Sequence, residues 1–250
     1  MTESNLVKRN IVIFGMGATG ISVARYLSDI GADFTFADSR RAPANLSKIK
    51  ELYPHVKISV GEFTDEILLD VDLIVVSPGI SLREPVLQRA HKKGIEIVGD
   101  LALFLAAASA PVVAITGSNG KSTVTKLTEE LLEAAGVDVL TGGNIGRPAL
   151  DLLSDPEPAC YLLELSSFQL EITENLRPTI AAILNISPDH LDRHGSFESY
   201  AALKAQLGRA AETVVFNWDD EVVREMVRPH KHAIPFSVHE KLDVGYSLIE

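Results

Sequence analysis

The sequence TGSNGKST at 116–123 has the clearest chemical potential in the chain. It follows the apolar run 111–115 and precedes a segment with helical spacing. In such a loop, backbone N–H groups surround phosphates, the amine of Lys121 offsets their charge, and the Ser122 hydroxyl can bind Mg²⁺. The loop is two residues shorter than the usual phosphate-binding motif. We predict that ATP binds here, and the alternative is a flexible turn whose lysine is exposed.

Two further polar groups follow apolar runs later in the chain. Glu164 ends one such run, and the string SPDHLDRH at 187–194 follows another. The carboxyl ends of parallel strands lie at one edge of a sheet, so Lys121, Glu164 and His190 are predicted to converge. Glu164 then fits a Mg²⁺ ligand, and His190 fits metal or phosphate chemistry. Taken singly, each is more typical of an exposed strand end or a polar loop.

A second glycine-rich turn, GMGATG at 15–20, lies between an apolar run and a helical pattern. Its glycines and the N–H groups of the following helix suit the close approach of a diphosphate. Asp38 follows Gly20 by 18 residues, about where an acid contacts the ribose of a dinucleotide. NAD, a nucleotide diphosphate and a tight turn without ligand all remain open. Ser77-Pro78-Gly79 follows the apolar run 71–76 and is expected at the same crevice.

The elements that position these turns alternate between short apolar runs and helical patterns. Strands are predicted at 11–14, 34–37, 56–60, 71–76, 95–98, 112–115, 137–140, 159–163, 181–185 and 213–217. Helices are predicted at 18–30, 46–53, 85–93, 122–135 and 200–211. The apolar stretch 101–115 is predicted as a buried helix and a strand, because Pro111 interrupts it and it is too short to cross a membrane.

The pattern predicts an α/β protein with a domain boundary near 108–111. Residues 1–109 form a Rossmann-like domain with a parallel sheet, and residues 110–250 form an α/β central domain of the P-loop ATPase type. The pattern weakens after 217, and the last stretch, 239–250, carries no clear closing element. The second sheet is therefore expected to be incomplete, and the chain to be a fragment.

Composition excludes several classes of protein. Hydrophobic residues make up 46% of the 250, too many for an intrinsically disordered chain. The net charge is −11 and no basic cluster stands out, which disfavours nucleic-acid partners. The single Cys160 cannot form an internal disulfide, and no signal peptide or membrane anchor is predicted. We therefore expect a cytoplasmic protein.

With these motifs the chain resembles the Mur ligase family of peptidoglycan synthesis. The string ELSSFQL at 164–170 is the most specific and is similar to the family member that adds D-glutamate. The resemblance covers nearly the whole chain but only the first part of the family's length, so a C-terminal domain is expected to be missing. The matching segments are 15–20, 77–80, 114–125, 142–146, 164–170 and 185–193.

The resemblance implies ATP-dependent amide formation between UDP-N-acetylmuramoyl-L-alanine and D-glutamate through an acyl phosphate. It implies that the first domain binds the UDP part of the substrate rather than NAD. The UDP-substrate residues would be Gly17, Ala18, Thr19, Asp38, Ser39, Arg40, Ser77, Gly79, Asn144 and His190. ATP would bind at Gly117, Ser118, Asn119, Gly120, Lys121, Ser122 and Thr123. Mg²⁺ would be held by Ser122, Glu164, His190 and Lys204, and the catalytic residues would be Lys121, Glu164, His190 and Lys204.

Lys204 is the least obvious of these residues. The sequence alone indicates a solvated lysine in the predicted helix 200–211. The resemblance implies that CO₂ carbamylates it, which turns a cation into an oxygen ligand suited to Mg²⁺. Carbamylation requires the neutral amine, which burial favours.

Two other hypotheses stay open beside the ligase. One is a non-catalytic fragment that binds nucleotide and the UDP-substrate, and the other is an NAD-dependent Rossmann oxidoreductase. The oxidoreductase leaves the loop 117–122 and the string 164–170 unexplained. A monomer without nucleic-acid or membrane partners is expected.

Overall fold

The computed structural model describes residues 2–248, which divide into two compact units. The first unit contains the chain up to Ala107 together with Pro148–Asp155 and Ile172–Glu174. The second contains Ala108–Arg147, Pro156–Glu171 and the chain from Asn175 onward. The sequence-based division at 109/110 assigns Pro148–Asp155 and Ile172–Glu174 to the second domain, whereas in the structure these two segments belong to the first unit.

The first unit is built on a parallel sheet in the strand order β3-β2-β1-β4-β5. Its strands are β1 Ile11–Phe14, β2 Phe34–Asp38, β3 Ile58–Val60, β4 Leu73–Val76 and β5 Glu96–Val98. Its helices are α1 Glu3–Leu6, α2 Ala18–Asp29, α3 Leu46–Leu52, α4 Pro85–Lys92 and α5 Asp100–Ala107, with 3₁₀ turns at Asp65–Leu68 and Ala149–Ser154. The strand order reverses between β1 and β4, where ligands of doubly wound sheets bind.

Strands β1 and β4 of this sheet are buried along their whole length. Val12 and Phe14 of β1 share a core cluster with Ile74 and Val76 of β4, and Leu87 of α4 belongs to it as well. Near-continuous apolar strands are typical of parallel sheets that are covered on both faces. This core fixes the carboxyl ends of β1 and β4, and with them the two turns that follow.

The second unit is built on a parallel sheet in the order β12-β11-β10-β9-β6-β8-β7. Its strands are β6 Val112–Thr116, β7 Val139–Gly143, β8 Cys160–Glu164, β9 Ile180–Ile183, β10 Thr213–Asn217, β11 Ala233–Ser237 and β12 Tyr246–Ser247. Its helices are α6 Lys121–Ala134, α7 Ser167–Glu171, α8 Leu191–His194, α9 Phe197–Ala210 and α10 Glu221–Val227. Strand β6 lies between β8 and β9, so the loop after β6 is flanked by the ends of both neighbours.

The α/β class and the parallel sheets are confirmed, and each predicted strand and helix has a counterpart. The pattern weakens after 217, yet α10, β11 and β12 lie there, and the expectation that 239–250 carries no closing element is wrong because β12 falls within it. Helix α10 is short and begins at a cap in which the Asp220 side chain accepts from the Val223 N–H. Strand β11 contains Pro235 and β12 has two residues, so neither shows a strong pattern.

The apolar stretch 101–115 does form a helix, α5, and a strand, β6. Helix α5 has eight residues. Within residues 2–248, no helix combines the length and the apolar character that a membrane span requires.

Candidate active site

The loop between β6 and α6 carries the phosphate-binding sequence. Gly120 has φ +77°, a left-handed conformation that glycine adopts without steric cost, and it caps α6. The first N–H groups of a helix have no partner inside that helix and carry its positive dipole end. Asn119, Gly120, Ser122 and Thr123 are exposed. The loop therefore presents an anion-binding helix end to solvent.

Residues that follow β9, together with Tyr200 of α9, hold this loop in place. The Ser118 Oγ lies 2.9 Å from the Tyr200 hydroxyl and donates to the Ser187 carbonyl at 3.0 Å. The Asn185 side chain accepts from the Asn119 N–H at 2.8 Å and donates to the Asn119 carbonyl at 3.0 Å. The Ser118 N–H donates to the Asn185 carbonyl at 2.9 Å. The hydroxyl and the N–H of Ser118 are thus engaged within the protein and stabilise the loop.

Two lysine amines lie against the same loop. The Lys121 Nζ donates to the carbonyls of Gly117 and Ser118, each at 3.0 Å. The Lys204 Nζ donates to the Gly117 carbonyl at 2.8 Å and to the Thr116 Oγ1 at 3.1 Å. The Gly117 carbonyl therefore accepts from both amines, so two potential positive charges lie at the loop that would bind phosphates.

Lys204 is 1% exposed, on the face of α9 that covers the sheet. Its Nζ lies 5.0 Å from the centroid of the Tyr200 ring. Burial lowers the pKa of Lys204 to about 7, and the charge of Lys121 acts in the same direction against the opposing charges of Asp189 and Glu164. The expectation of a solvated lysine is wrong, because both Tyr200 and Lys204 point inward from successive turns of α9.

Glu164 ends β8 in register with Ile115 of β6 and is 1% exposed. Its Oε1 accepts from the Asn144 Nδ2 at 2.8 Å, whereas its Oε2 has no hydrogen-bond partner among residues 2–248. A buried carboxylate oxygen without a partner costs free energy unless a cation or donor reaches it. The residue therefore suits a Mg²⁺ ion, which prefers carboxylate, hydroxyl and phosphate oxygens.

The backbone of residues 143 and 144 packs tightly against the Glu164 carbonyl. Gly143 has φ +101°, and a Cβ at that position would lie 2.5 Å from the Glu164 carbonyl oxygen. The Asn144 N–H donates to that same oxygen at 2.8 Å. In the described part of the chain, no three His, Cys, Asp or Glu side chains are grouped so that they could hold a metal alone. A Mg²⁺ ion at Glu164 would need mixed oxygen donors, those of a nucleotide included.

His190 lies at the rim of this region. Its side chain is 48% exposed, its Nε2 is 3.4 Å from an Asp189 carboxylate oxygen, and its ring centroid is 4.8 Å from that of Phe168. Its φ of +50° is uncommon for a residue other than glycine. The structure brings the amines of Lys121 and Lys204 to the Gly117 carbonyl, and it places Glu164 at the end of the neighbouring strand β8, where its charge acts on Lys204.

In the first unit, Asp38 faces inward. One carboxylate oxygen accepts from the Met16 N–H at 2.8 Å and from the Arg40 guanidinium at 2.6 Å. The other accepts from the Arg40 N–H at 3.0 Å and from its Nε at 2.8 Å. Both oxygens are therefore engaged by the protein rather than presented to a ribose. Arg40, with a side chain 58% exposed, is the accessible member of this ion pair.

The two turns of this unit lie together. Gly15 has φ +102°, and a Cβ there would lie 2.7 Å from the Ser77 Oγ. A Cβ on Gly20 would lie 2.0 Å from the Gly15 carbonyl oxygen. The Cβ positions of Gly17 and Gly79 face open space, which leaves room for a diphosphate. The remaining predicted residues are Ala18 and Thr19 in the first turn of α2 and Ser39 after β2.

Replacing Asp38 with asparagine is expected to lower the free energy of unfolding by about 2 kcal/mol at neutral pH, the scale of a lost charged hydrogen bond. Burial alone would raise the pKa of Asp38, but hydrogen bonds from Arg40 and Met16 outweigh it and hold that pKa below its usual value. The contribution is therefore present above a pH of about 4 and decreases as the pH falls through the folded pKa below that value.

Urea unfolding of wild type and Asp38→Asn between acid and neutral pH measures this effect. Asp33→Asn, an exposed acid just before β2, is the control and is expected to unfold like wild type. Equal stability of wild type and Asp38→Asn at pH 7 would contradict the role given to this carboxylate.

Sequence reasoning gave no role to several residues that stabilise the loop. These residues, Tyr200, Asn185 and Ser187, are distant from the loop in the sequence and contact it only in the folded protein. The one sequence signal is that Tyr200 precedes Lys204 by one helical turn, which places both on the same face of α9.

Comparison with known proteins places the chain in a family. The N-terminal domain typical of MurD-like Mur ligases matches residues 9–99, and the Mur ligase middle domain matches residues 115–246. The chain belongs to the Mur ligase family. The two glycine-rich turns each fall within one matched domain.

Individual Mur ligases resemble the chain over most of its length. It is 45% identical to the UDP-N-acetylmuramoylalanine–D-glutamate ligase of Nitrosococcus oceani over 227 residues. This aligned region covers 91% of this chain and 50% of that protein. It is 43% identical to the ligase of the same name from Methylococcus capsulatus over 242 residues. This second aligned region covers 97% of this chain and 52% of that protein. The chain thus spans about half the length of these curated relatives.

A solved structure supports the fold alone. The UDP-N-acetylmuramate:L-alanyl-γ-D-glutamyl-meso-diaminopimelate ligase from Neisseria meningitidis superimposes with a TM-score of 0.59 at 18% identity. The match covers 95% of this chain and 82% of that chain. This ligase therefore shares the α/β fold described above.

Proposed function

We propose that the protein is an ATP-dependent ligase that joins D-glutamate to UDP-N-acetylmuramoyl-L-alanine in peptidoglycan synthesis. The observation that carries the proposal is that two lysine amines bind the Gly117 carbonyl of the loop after β6, while the adjacent strand β8 ends at Glu164 with one buried carboxylate oxygen unpaired among residues 2–248. Two relatives that carry this name, at 45% and 43% identity, support the choice of substrate and amino acid.

The first chemical step brings together two negatively charged groups, a carboxylate and the γ-phosphate of ATP. The alanyl carboxylate attacks the γ-phosphorus of ATP, and the bond to the bridging oxygen breaks to release ADP. The amine of D-glutamate then attacks the acyl carbon, loses a proton, and displaces phosphate. Lys121 and the N-terminus of α6 reduce the repulsion in the first step and stabilise the charge of its transition state. Exposed donors at Gly120, Ser122 and Thr123 complete the phosphate site, and Asn119, whose N–H is bound by Asn185, shapes the loop beside them.

Ser122, Glu164, His190 and Lys204 are the proposed residues for Mg²⁺. When bound, this ion neutralises phosphate charge and orients the reacting oxygens. The buried Glu164 carboxylate and the exposed Ser122 hydroxyl fit its preference for oxygen donors. We further propose that the Lys204 amine adds to CO₂ and loses a proton, because an ammonium group could not serve as a ligand.

The first unit is proposed to bind the UDP part of the substrate. Gly17 and Gly79 leave room for the diphosphate, and Arg40 supplies charge. Asp38 acts indirectly in this proposal, because it holds both Arg40 and the Met16 N–H. The NAD-dependent alternative loses its main support, since the Asp38 carboxylate is not presented to a ribose. Asn144 and His190 are the proposed contacts with the muramoyl-alanine end.

The ligase is tested by D-glutamate-dependent phosphate release. The assay contains ATP, Mg²⁺, bicarbonate and UDP-N-acetylmuramoyl-L-alanine, with L-glutamate as the control amino acid. It is run on this chain and on this chain joined to the remaining half of the Methylococcus capsulatus relative. Release that depends on D-glutamate is expected from the joined protein.

Release by the 250-residue chain alone would show that it suffices for catalysis. No release from either protein, while calorimetry still detects ATP and the UDP-substrate, would overturn the ligase and favour a nucleotide-binding protein. Saturable NADH binding without UDP-substrate binding would favour the oxidoreductase.

A further inference from the structure

We propose that His194 is a positioning residue for the phosphate-binding loop and that it acts through the ring of Tyr200. The inference rests on the proposed ATP site, but His194 belongs to none of the ligand sets named above. It ends α8, is 5% exposed, and lies between two helices of the second unit.

Contacts with α7 and α9 fix the His194 ring. Its Nε2 lies 3.0 Å from the Ser167 Oγ at the start of α7. Its ring centroid lies 5.4 Å from that of Phe168 and 5.7 Å from that of Tyr200 on α9. Such distances are typical of packed aromatic pairs. The imidazole therefore fills the space between α7 and α9 and is held there by a hydrogen bond.

Tyr200 transmits this contact to the loop. Its hydroxyl lies 2.9 Å from the Ser118 Oγ, and the Lys204 Nζ lies 5.0 Å from its ring centroid. The ring is also fully buried, so its rotamer depends on what packs against it. Without the imidazole, the Tyr200 ring gains space to turn, and the bond that holds Ser118 is weakened.

The imidazole is suited to this position as an uncharged ring. Burial lowers the pKa of His194, the positive charges of Arg193, His190 and Lys204 act in the same direction, and Glu171 opposes them. A neutral ring avoids repulsion with the Lys204 amine behind Tyr200. The aromatic surface then stabilises the tyrosine, while the Ser167 contact sets its orientation.

Helix α8 has a separate anchor that does not require His194. Arg193 donates from its Nε to a Glu171 carboxylate oxygen at 2.9 Å and forms an ion pair with the same group. Its guanidinium carbon lies 5.1 Å from the centroid of the Phe168 ring. Because these contacts join α8 to α7, a change at His194 is expected to act locally, on Tyr200 and the loop.

Hydrogen–deuterium exchange of the loop 116–123 tests the proposal without nucleotide. The variants are His194→Ala, which removes the ring, and His194→Phe, which keeps a ring but loses the Ser167 bond. Val223→Ala is the stability control, because Val223 is fully buried on α10, a different helix from those that carry His194 and Tyr200. Thermal unfolding of all variants is measured in parallel.

We expect the alanine variant to raise loop exchange by about three- to tenfold, the range of one aromatic contact, and the phenylalanine variant by less than about twofold. The dissociation constant for ATP is expected to rise in parallel. Loop exchange in His194→Ala no faster than in Val223→Ala, or equal in the Phe and Ala variants, would overturn the proposal. Failure of the wild type to bind ATP would contradict the proposed function, while the exchange data would still decide the role of His194.

Discussion

Replacing Lys121 with alanine is expected to weaken ATP binding by about 100-fold, the scale on which a buried charge pair is lost. Its amine lies on the Gly117 and Ser118 carbonyls, at the centre of the loop. The substitution leaves these backbone carbonyls in place but removes the positive charge that offsets the phosphates. Calorimetric titration of the 250-residue chain with ATP and Mg²⁺ measures the change directly.

Lys126→Ala is the matched control for this experiment. Lys126 lies on the same helix, is 64% exposed, and forms an ion pair with Glu129 rather than with the loop. Its substitution is expected to change the ATP dissociation constant by less than about twofold, as is usual for an exposed charge. Similar affinities for Lys121→Ala and Lys126→Ala would mean that the loop does not bind the phosphates of ATP.

Replacing Lys204 with methionine is expected to abolish carbamylation and D-glutamate-dependent turnover. A wild-type chain in ¹³C-bicarbonate should show one carbamate resonance, and Lys204→Met should show none. The pKa of Lys204 is lowered to about 7, so the amine is largely neutral at higher pH and reacts there with CO₂. The resonance should weaken as the pH falls through this value, because the protonated amine has no lone pair to react.

The turnover of the joined protein should fall by at least about 100-fold in Lys204→Met, the scale for losing one electrostatic group of a transition state. Methionine fills similar space without a buried charge, so the variant is expected to fold. Partial recovery with acetate or propionate would support a carboxylate role for the carbamate. A carbamate signal that persists in Lys204→Met, or unchanged turnover, would contradict the assignment, and Lys126→Met serves as the exposed control.

Periodicity predicted most of the fold because parallel strands buried on both faces are almost wholly apolar. Leu73–Val76 and Val112–Thr116 are strands of this kind, and each is followed by a glycine-rich or proline-containing turn. The segments that were missed are short or carry no pattern. Strand β12 pairs with β11 over two positions, a contact that is set by the neighbouring strand rather than by its own residues.

From the sequence, the topology predicts which residues of the candidate site lie at the same edge of the sheet, but not which side chains they contact. The ends of β6 and β8 had to meet, so Lys121 and Glu164 could be placed at one edge. The side-chain partners could not be placed, because they depend on distances across the fold. Asp38 shows the difference: its spacing suggests a ribose ligand, whereas its hydrogen bonds go to Met16 and Arg40.

Lys204 shows a second limit of sequence reasoning. A lysine within a helix is usually exposed, and nothing in its own neighbourhood in the sequence predicts burial. Only the packing of α9 on the sheet brings its amine to the Gly117 carbonyl. The family resemblance supplied the expectation of a buried lysine that local pattern could not.

The transfer of oxygen from substrate to phosphate tests the central claim most directly. UDP-N-acetylmuramoyl-L-alanine with an ¹⁸O-labelled alanyl carboxylate is incubated with ATP, Mg²⁺, bicarbonate and D-glutamate, using the joined protein. If the carboxylate is activated as an acyl phosphate, each released phosphate carries one oxygen from the substrate. Unlabelled phosphate, released at the same rate as amide product, would show that the carboxylate is not phosphorylated and would contradict the mechanism proposed for this site.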